Sequence, residues 1–570
     1  MSGGMLIVRR QVAEGSEAGD WPAHWPPLLR RVHAARGCTG GGDAMPRLSA
    51  LPPPAGMLGL EQGVAVLRAA IAQDRHIVVT ADFDCDGATA CAVAVRGLRM
   101  LGARRVSYAV PDRVVHGYGL TPALVADIAP LQPDVLLTVD HGIACHAGID
   151  AARTHGWQVV VTDHHLPGES LPAADAVIDP NQPGDRFPSK ALAGVGVLFY
   201  LLLALRAAAR EAGEPAGEAD LASLLDLVAV GTVADMVALD AANRALVGAG
   251  LRRIREGRAC AGLQALMAVA GRDPARLTTA DIGFGIAPRI NAAGRLEDMR
   301  VGIECLLTDD PAQAQDLAAA LHAINAARRE LQDGMVDAAV ARVEANPGDA
   351  ALAPCLFDPD WHAGVVGLVA SRLKEKLHRP VLAFAPSGNG DGMLRGSARS
   401  IPGFHMRDAI ALVDARAPGL IARFGGHAMA AGLTLDEAAL PRFTAAIEQV
   451  AHDLGVGALL QPTLDSDGSL PEDALDIANA LALRDGGSWG QGYPEPAFDD
   501  EFELVDFRQV GERHLRLRVQ RGGRVLTAMH FGGWDGAPPP PMLRLVYRLT
   551  PDDWRGGDAV QLIVLHRQAA

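Results

Sequence analysis

Short runs of apolar and β-branched residues punctuate the first third of the chain: "HIVVTADFD", "DVLLTVDHG", "QVVVTDHH" and "DAVIDP". Stretches with helical spacing separate most of them, beginning with "LEQGVAVLRAAIA" from Leu60. Buried strands alternating with helices predict a parallel α/β sheet. Residues 197–270 read as helical, and the Gly-rich "GFGIAPRINAAGRL" (283–296) reads as a loop. From Pro311 to about Asn346 a long helix is expected, with Leu317, Leu321, Ile324, Leu331 and Met335 on one face and "NPGD" (346–349) stopping it. Strands ("APCLFD", "PVLAFAP", "GMLRGSARS") alternate with helices again over 350–455. Beyond 456 the texture turns β-rich. "HLRLRVQRGGRVLTAMHF" predicts a hairpin in which Leu515, Leu517 and Val519 alternate with Arg516 and Arg518 around a Gly522-Gly523 turn. The expected organisation is an N-terminal arm (1–57) with a short helix near Leu28–Ala35, a parallel-sheet α/β domain (58–305), a connector helix (306–349), a second α/β domain (350–455) and a small C-terminal β-barrel (456–570).

Composition changes this picture in two places. A chain of 570 residues exceeds what one core can serve, in keeping with several domains. Aromatics are only 4%, so Ala, Leu and Val must supply most of the packing. The seven cysteines are scattered and never spaced as CxxC, which argues against a disulfide framework or a zinc knuckle. With no membrane span or signal-like start, a cytoplasmic protein is expected. The net charge of −15 speaks, taken alone, against a polyanionic partner. That average conceals acids gathered in one place and arginines in another.

The acids gather at the ends of the apolar runs. The first ends in Asp82, Asp84 and Asp86, the next in Asp140-His141-Gly142, and the third in Asp163-His164-His165. Further on, "DLVAVGTVADMV" delivers Asp235, so each cluster is read as following an apolar strand. In α/β proteins ligands bind at the carboxyl ends of the strands. Carboxylates packed that closely repel, and burying them costs several kcal/mol each. A cation resolves the conflict. Oxygen-rich ligation with a minority of imidazole suits Mg²⁺ or Mn²⁺. The donors exceed what one ion needs, which points to two ions bridged by Asp140, an arrangement suited to in-line attack on a phosphoester. A single strand-end Asp is ordinarily a turn former or helix cap, and Asp86-Gly87 is the weakest member by that standard.

These motifs, "ADFDCDGAT", "TVDHGI", "VTDHHLPG" and "GTVADMV", resemble in order those of the DHH phosphoesterases. "VPDRVVHGYGL", "APRINAAGRL", "GSARSIPGF", "FGGHAMAAG" and "GYPEPAF" narrow the likeness to the single-stranded-DNA exonuclease branch of the DHH/DHHA1 family, over about residues 20–565. The resemblance implies that Asp82, Asp84, Asp86, Asp140, His164 and Asp235 bind two Mn²⁺ or Mg²⁺ ions, that His165 faces the scissile phosphate, and that Asp163 orients a histidine. It implies 5′→3′ hydrolysis of single-stranded DNA to 5′-mononucleotides in repair and recombination, alongside single-strand-binding protein and a RecQ-type helicase. It also implies a DHHA1 domain at 350–455 and an OB-like barrel at the C-terminus. Two features depart from the family: His141 stands where many relatives have Asn, a change expected to tune metal preference, and "GGSWGQGYPEP" varies a loop.

For the substrate, Ser397, Arg399 and His427, with the open backbone of Gly425 and Gly426, are expected to hold a terminal phosphate or the adjacent backbone. Arg113, Arg289 and Arg295 are expected to line the cleft from the first domain, with Asn291 of the same motif. Arginines 508, 513, 516, 518, 521 and 524 face one acid, Glu512, and an Arg-lined face carrying Arg516 and Arg518 suits a DNA backbone. Tyr118, Trp489 and Tyr493 are candidate stacking platforms. Two other functions compete. A hydrolase of nano-RNA or cyclic dinucleotides would need neither this length nor the Arg hairpin. An inactive DNA-binding scaffold would have no reason to keep every motif acid.

Overall fold

The computed structural model describes residues 5–12, 15, 19–113, 115–345, 351–388 and 390–570. The "NPGD" helix stop lies outside the described residues.

Five parallel strands form the first sheet: β1 (Ile77–Ala81), β2 (Val106–Ala109), β3 (Val135–Val139), β4 (Gln158–Thr162) and β5 (Ala176–Ile178). Their order is β2-β1-β3-β4-β5. β1 and β3 are buried at every position, as a sheet covered on both faces requires. The short arm helix α1 spans Pro27–Ala34, close to its expected bounds. α2 (Cys85–Met100), α3 (Gly194–Glu211) and α4 (Leu225–Ala234) pack together on the sheet.

Two sequence expectations fail here. "GFGIAPRINAAGRL" is not a loop. It is a π-helical turn (Ile282–Ile286) running into α5 (Ala287–Leu296). Pro288, which has no N–H to donate, stands directly after the π-helical turn, where the regular i→i−4 ladder is already interrupted. Gly294 serves close approach rather than flexibility: a β-carbon there would stand 1.9 Å from the Phe83 carbonyl oxygen. Nor does Asp235 follow a strand, since "LDLVAVGTVA" is α4. That helix is buried nearly all round, so its periodicity cannot distinguish it from a strand.

The long helix is α6 (Pro311–Ala345). The chain divides into two compact units, Ala323–Leu464 with Arg295–Glu297, and Val8–Gly294 with Asp298–His322 and Asp465–Ala570. The first unit holds a mixed sheet ordered β9-β10-β8-β7-β6, from β6 (Cys355–Phe357), β7 (Val381–Pro386), β8 (Met393–Arg399), β9 (Arg423–Gly426) and β10 (Ala430–Asp436). Helix α7 (Val366–Leu377) packs on β7 and β8.

The second unit also contains a closed five-stranded barrel of β11 (Phe498–Val510), β12 (His514–Arg521), β13 (Arg524–His530), β14 (Met542–Pro551) and β15 (Val560–Ala569). The predicted hairpin is β12–β13, with Leu515, Leu517 and Val519 inside. One continuous core runs from the parallel sheet into this barrel. At the junction His33 of α1 stacks on Trp489 at 5.0 Å and on Tyr493 at 5.9 Å. Trp489 and Tyr493 are 6% and 3% exposed, so they are packing residues and not stacking platforms for a base.

Candidate active site

Asp82 follows β1, Asp140 follows β3 and Asp163 follows β4. β1 and β3 flank the position where the strand order reverses, the place at which open α/β sheets leave a crevice. Asp84 is the N-cap of α2, its Oδ1 accepting the Gly87 N–H at 3.0 Å, and Asp86 lies in that helix's first turn. Asp86 accepts the N–H groups of Gly194 (2.7 Å) and Val195 (3.0 Å) at the start of α3, where the helix dipole favours negative charge. Asp140 has φ +64°, a left-handed conformation that costs a non-glycine residue about 1 kcal/mol. Its carboxylate lies against Gly194, where any β-carbon would come within 2.4 Å of Oδ1. Asp235 is the C-cap of α4.

Three groups of donor atoms result: Asp82–Asp84–Asp140, Asp86–His164–Asp235, and Asp140–His164–His165, the atoms in each lying within 4.8 Å of one another. Asp140 belongs to two of them. His164 Nε2 stands 3.2 Å from Asp140 Oδ1 and 3.5 Å from Asp235 Oδ2. Among the described residues neither that nitrogen nor Asp140 Oδ1 has a hydrogen-bond partner, though both are buried. Each such orphan costs roughly 1–3 kcal/mol, and a cation between them would satisfy both. The donor set therefore fits a hard divalent ion.

The acids show the strain of sharing this space. Burial first, then the charge of Asp84, pushes Asp82 up to about 8. Burial and the neighbouring carboxylates hold Asp86 and Asp140 well above the usual carboxylate range. Burial lowers the basicity of His164, keeping its ring neutral as a ligand should be.

His165 behaves oppositely. Asp163 Oδ1 accepts its Nδ1–H at 2.7 Å and also the His164 N–H at 2.7 Å, while Oδ2 accepts the Ile143 N–H at 2.8 Å. Asp163 thus orients His165 and not the ligand His164, a choice the sequence left open. Burial disfavours the imidazolium, but the hydrogen bond and charge of Asp163 outweigh it and push His165 up to about 9. Tyr118 Oη lies 3.3 Å from His165 Nε2.

His141 turns into the sheet, its Nε2 at 3.1 Å from the Thr80 carbonyl, and joins none of the donor groups. Asp179 was missed by the sequence reading, although it ends β5 as the other acids end theirs. It is fully buried, Oδ2 has no partner among the described residues, and burial raises it to about 8.

The expected DNA contacts of the first domain are held as follows. Arg289 is 6% exposed, with Nε 3.2 Å from His322 Nδ1, so it braces α5 against α6. Asn291 Oδ1 accepts the Cys85 N–H at 2.9 Å and so holds the start of α2 between Asp84 and Asp86. The Asn291→Ala enzyme should need about tenfold more Mn²⁺ for half-saturation, read as the Mn²⁺ dependence of the melting temperature. An unaltered dependence would remove Asn291 from this role. Arg113 lies 3.9 Å over the Phe83 ring and donates to the Gly294 carbonyl at 3.1 Å. Arg295 donates to the Gly364 carbonyl at 3.3 Å.

In the other unit, Ser397, Gly432 and Gly425 align in one row across β8, β10 and β9. Gly426 has φ +132°, open only to glycine, and the His427 N–H is bonded to the Ala430 carbonyl at 2.7 Å. Arg399 donates to Ser397 Oγ at 2.9 Å and to the Ala398 carbonyl at 2.8 Å. Among the described residues no carboxylate pairs with it. On the barrel Arg508 and Arg516 are cross-strand neighbours, with Arg518 exposed opposite Asp506. Arg521 is taken by Asp500 at 3.0 Å.

A doubly wound sheet with a carboxylate–imidazole cluster at its switch point defines the class, a metal-dependent phosphoesterase. The DHH family N-terminal domain matches residues 76–232, the DHHA1 domain 339–453 and the RecJ OB domain 466–566. The single-stranded-DNA-specific exonuclease RecJ of Dickeya dadantii is 47% identical over 98% of both chains. Crystal structures of RecJ from Thermus thermophilus in complex with Mn²⁺ and with Mg²⁺ match at TM-scores of 0.80 and 0.75. They are 31% and 30% identical, covering 99% of this chain and 79% and 78% of theirs. The chain belongs to the RecJ family.

Proposed function

We propose that this single-stranded-DNA-specific exonuclease works from the 5′ end and releases 5′-mononucleotides. Two Mn²⁺ or Mg²⁺ ions are its cofactors, held by Asp82, Asp84, Asp86, Asp140, His164 and Asp235 with Asp140 between them. The observation that carries the reading is the pair of buried, unpartnered donor atoms, Asp140 Oδ1 and His164 Nε2, inside a ring of carboxylates. When bound, the ions supply a nucleophilic water and neutralise charge on the reacting phosphate. The protein supplies the rest. His165, protonated and fixed by Asp163, directs Nε2–H at a non-bridging phosphate oxygen as negative charge develops there. Hydrolysis breaks the P–O3′ bond, frees a nucleoside 5′-monophosphate and leaves a new 5′-phosphate on the shortened strand.

Arg399, half-buried with no acid against it among the described residues, is the group we assign to that terminal phosphate, with Ser397, His427 and the backbone at Gly425 and Gly426. Arg508, Arg516 and Arg518 on the barrel take the strand further along. Like charges side by side at Arg508 and Arg516 are unfavourable until an anion joins them. Local fields rather than the total of −15 thus decide where DNA lies. The reading also places the protein in the cytoplasm, in repair and recombination beside single-strand-binding protein and a RecQ-type helicase. The domain divisions it carries are a DHH domain at 58–305, a connector at 306–349, a DHHA1 domain at 350–455 and an OB-like domain at 456–570.

An oligonucleotide labelled at either end tests polarity. The 5′ label should leave at once as a mononucleotide while the 3′-labelled strand shortens stepwise. The reverse pattern would overturn the direction, and cleavage of cyclic dinucleotides or very short RNA alone would overturn the substrate.

A further inference from the structure

One stretch of chain is bonded to all three elements that supply Asp86, His164 and Asp235. It runs from Asp179, just after β5, to Val195 in the first turn of α3. Near its start Asn181 Nδ2 donates to the His164 carbonyl at 2.6 Å. Midway, Ser189 Oγ donates to Asp240 Oδ2 at 2.6 Å, and the Ala191 carbonyl accepts from Asn243 Nδ2 at 2.6 Å. Asn243 Nδ2 also donates to the Ala238 carbonyl at 2.9 Å, so the chain that follows Asp235 is tied to the segment at two points. At the far end stand the Gly194 and Val195 N–H groups that Asp86 accepts. Among the described residues the segment makes no hydrogen bond to Asp82 or Asp84. Fastening a loop needs no such convergence on one of the donor groups.

We propose that Asn181 is a positioning residue for one of the two ions, and that the segment Asp179–Val195 sets the spacing of Asp86, His164 and Asp235 separately from the Asp82–Asp84 side of the site. The inference rests on the two-ion reading above. His164 depends on such support. A metal-binding imidazole ordinarily donates its second ring N–H to a carboxylate or carbonyl, and that bond fixes the ring. Among the described residues no hydrogen bond reaches the His164 ring, whose Nε2 faces Asp140 and Asp235. Its backbone is held instead, the N–H by Asp163 Oδ1 at 2.7 Å and the carbonyl by Asn181. Asp163 also orients His165, so a change there disturbs both rings, whereas Asn181 bears on His164. Asn181 is itself fixed. Its N–H donates to Asp179 Oδ1 at 2.7 Å, and its Nδ2 lies 3.3 Å from the Lys190 carbonyl. The fully buried Asp179 thereby has a place in the site although it joins none of the donor groups.

The test titrates the metal-free full-length chain with Mn²⁺, following uptake by calorimetry and the bound ions by electron paramagnetic resonance. Wild type should take up two ions and, once both are bound, give the exchange-coupled spectrum of a manganese pair. Asn181→Ala should keep one ion at wild-type affinity and bind the other about tenfold to a hundredfold more weakly. At Mn²⁺ concentrations that fill only the tighter site, its spectrum should be that of an isolated ion. Asn181→Leu, which keeps the volume and lacks the donor, should match Asn181→Ala and so separate the hydrogen bond from packing. Ser189→Ala, a milder cut in the same segment, should weaken the same ion by a smaller factor, and it decides the question if the Asn181 variants unfold. Equal weakening of both ions, or unchanged affinity for both, overturns the proposal. If wild type itself takes up only one ion, the two-ion reading fails and the proposal with it.

Discussion

The Asp140→Asn enzyme should hydrolyse single-stranded DNA at least about a thousandfold more slowly than wild type, a loss of about 4 kcal/mol of transition-state stabilisation. Without metal it should nevertheless melt higher. Asp140 is 2% exposed and faces Asp86, Asp84, Asp235 and Asp82. Water does little to screen charges so placed, and replacing one carboxylate by an isosteric amide removes repulsion from every pair it joins. Asn also tolerates the left-handed backbone at φ +64° better than most residues. In wild type, Mn²⁺ at 100 times its dissociation constant should add about 2.7 kcal/mol to stability. In the variant that increment should largely vanish, because the shared oxygen is lost to both donor groups.

The prediction separates two roles that activity alone confounds. A residue that only shapes the fold would lower stability with and without metal. A bridging ligand should raise the metal-free melting temperature, abolish the metal-induced rise and leave binding of single-stranded DNA to Arg399, Arg516 and Arg518. Differential scanning calorimetry with and without Mn²⁺ reads the first two, and fluorescence anisotropy of a labelled oligonucleotide reads the third. Hydrolysis within tenfold of wild type would remove Asp140 from the bridging position.

How much of this was legible in the sequence depends on what each residue does. Asp82, Asp140 and Asp163 were legible because a β-branched run fixes a strand and its end fixes the side of the sheet. The barrel hairpin was legible because Leu515, Leu517 and Val519 alternate with arginines around a Gly-Gly turn. The helix α5 was not, because its one glycine, Gly294, is there for contact with Phe83 and glycine in a sequence reports flexibility and closeness alike. The sequence offers Arg289 and Asn291 as cleft residues but does not show their partners. Only the helix places one against His322 and the other against the Cys85 N–H.

Changing Asp163 to Asn should move the alkaline limb of the pH–rate profile, and the sign follows from which form of His165 acts. In the role proposed for His165 the imidazolium is the active form, so activity should hold below the pKa of His165 and fall as pH rises through it. In the metal-free protein that pKa is pushed up to about 9, against burial, by Asp163 first and by Asp235 and Asp82 after it. Bound cations neutralise the last two, so the loaded enzyme should lose activity somewhere between about 6.5, the unperturbed value, and 9. In Asp163→Asn the hydrogen bond at Nδ1 weakens and its charge is gone, and burial then prevails. The limb should fall to about 6.5 or lower, and activity at pH 8 relative to pH 6 should drop more than about tenfold. The acid limb has a different origin. It reflects protons that must leave Asp82, Asp86 and Asp140 before metal binds, so it should move to lower pH as Mg²⁺ concentration rises, whereas the alkaline limb should stay fixed. Measuring kcat against pH at two Mg²⁺ concentrations for wild type and Asp163→Asn distinguishes the limbs. His165→Ala should lose about a hundredfold to a thousandfold and have no alkaline limb of this origin. If Asp163→Asn keeps the wild-type alkaline limb, the proton that matters is not on His165.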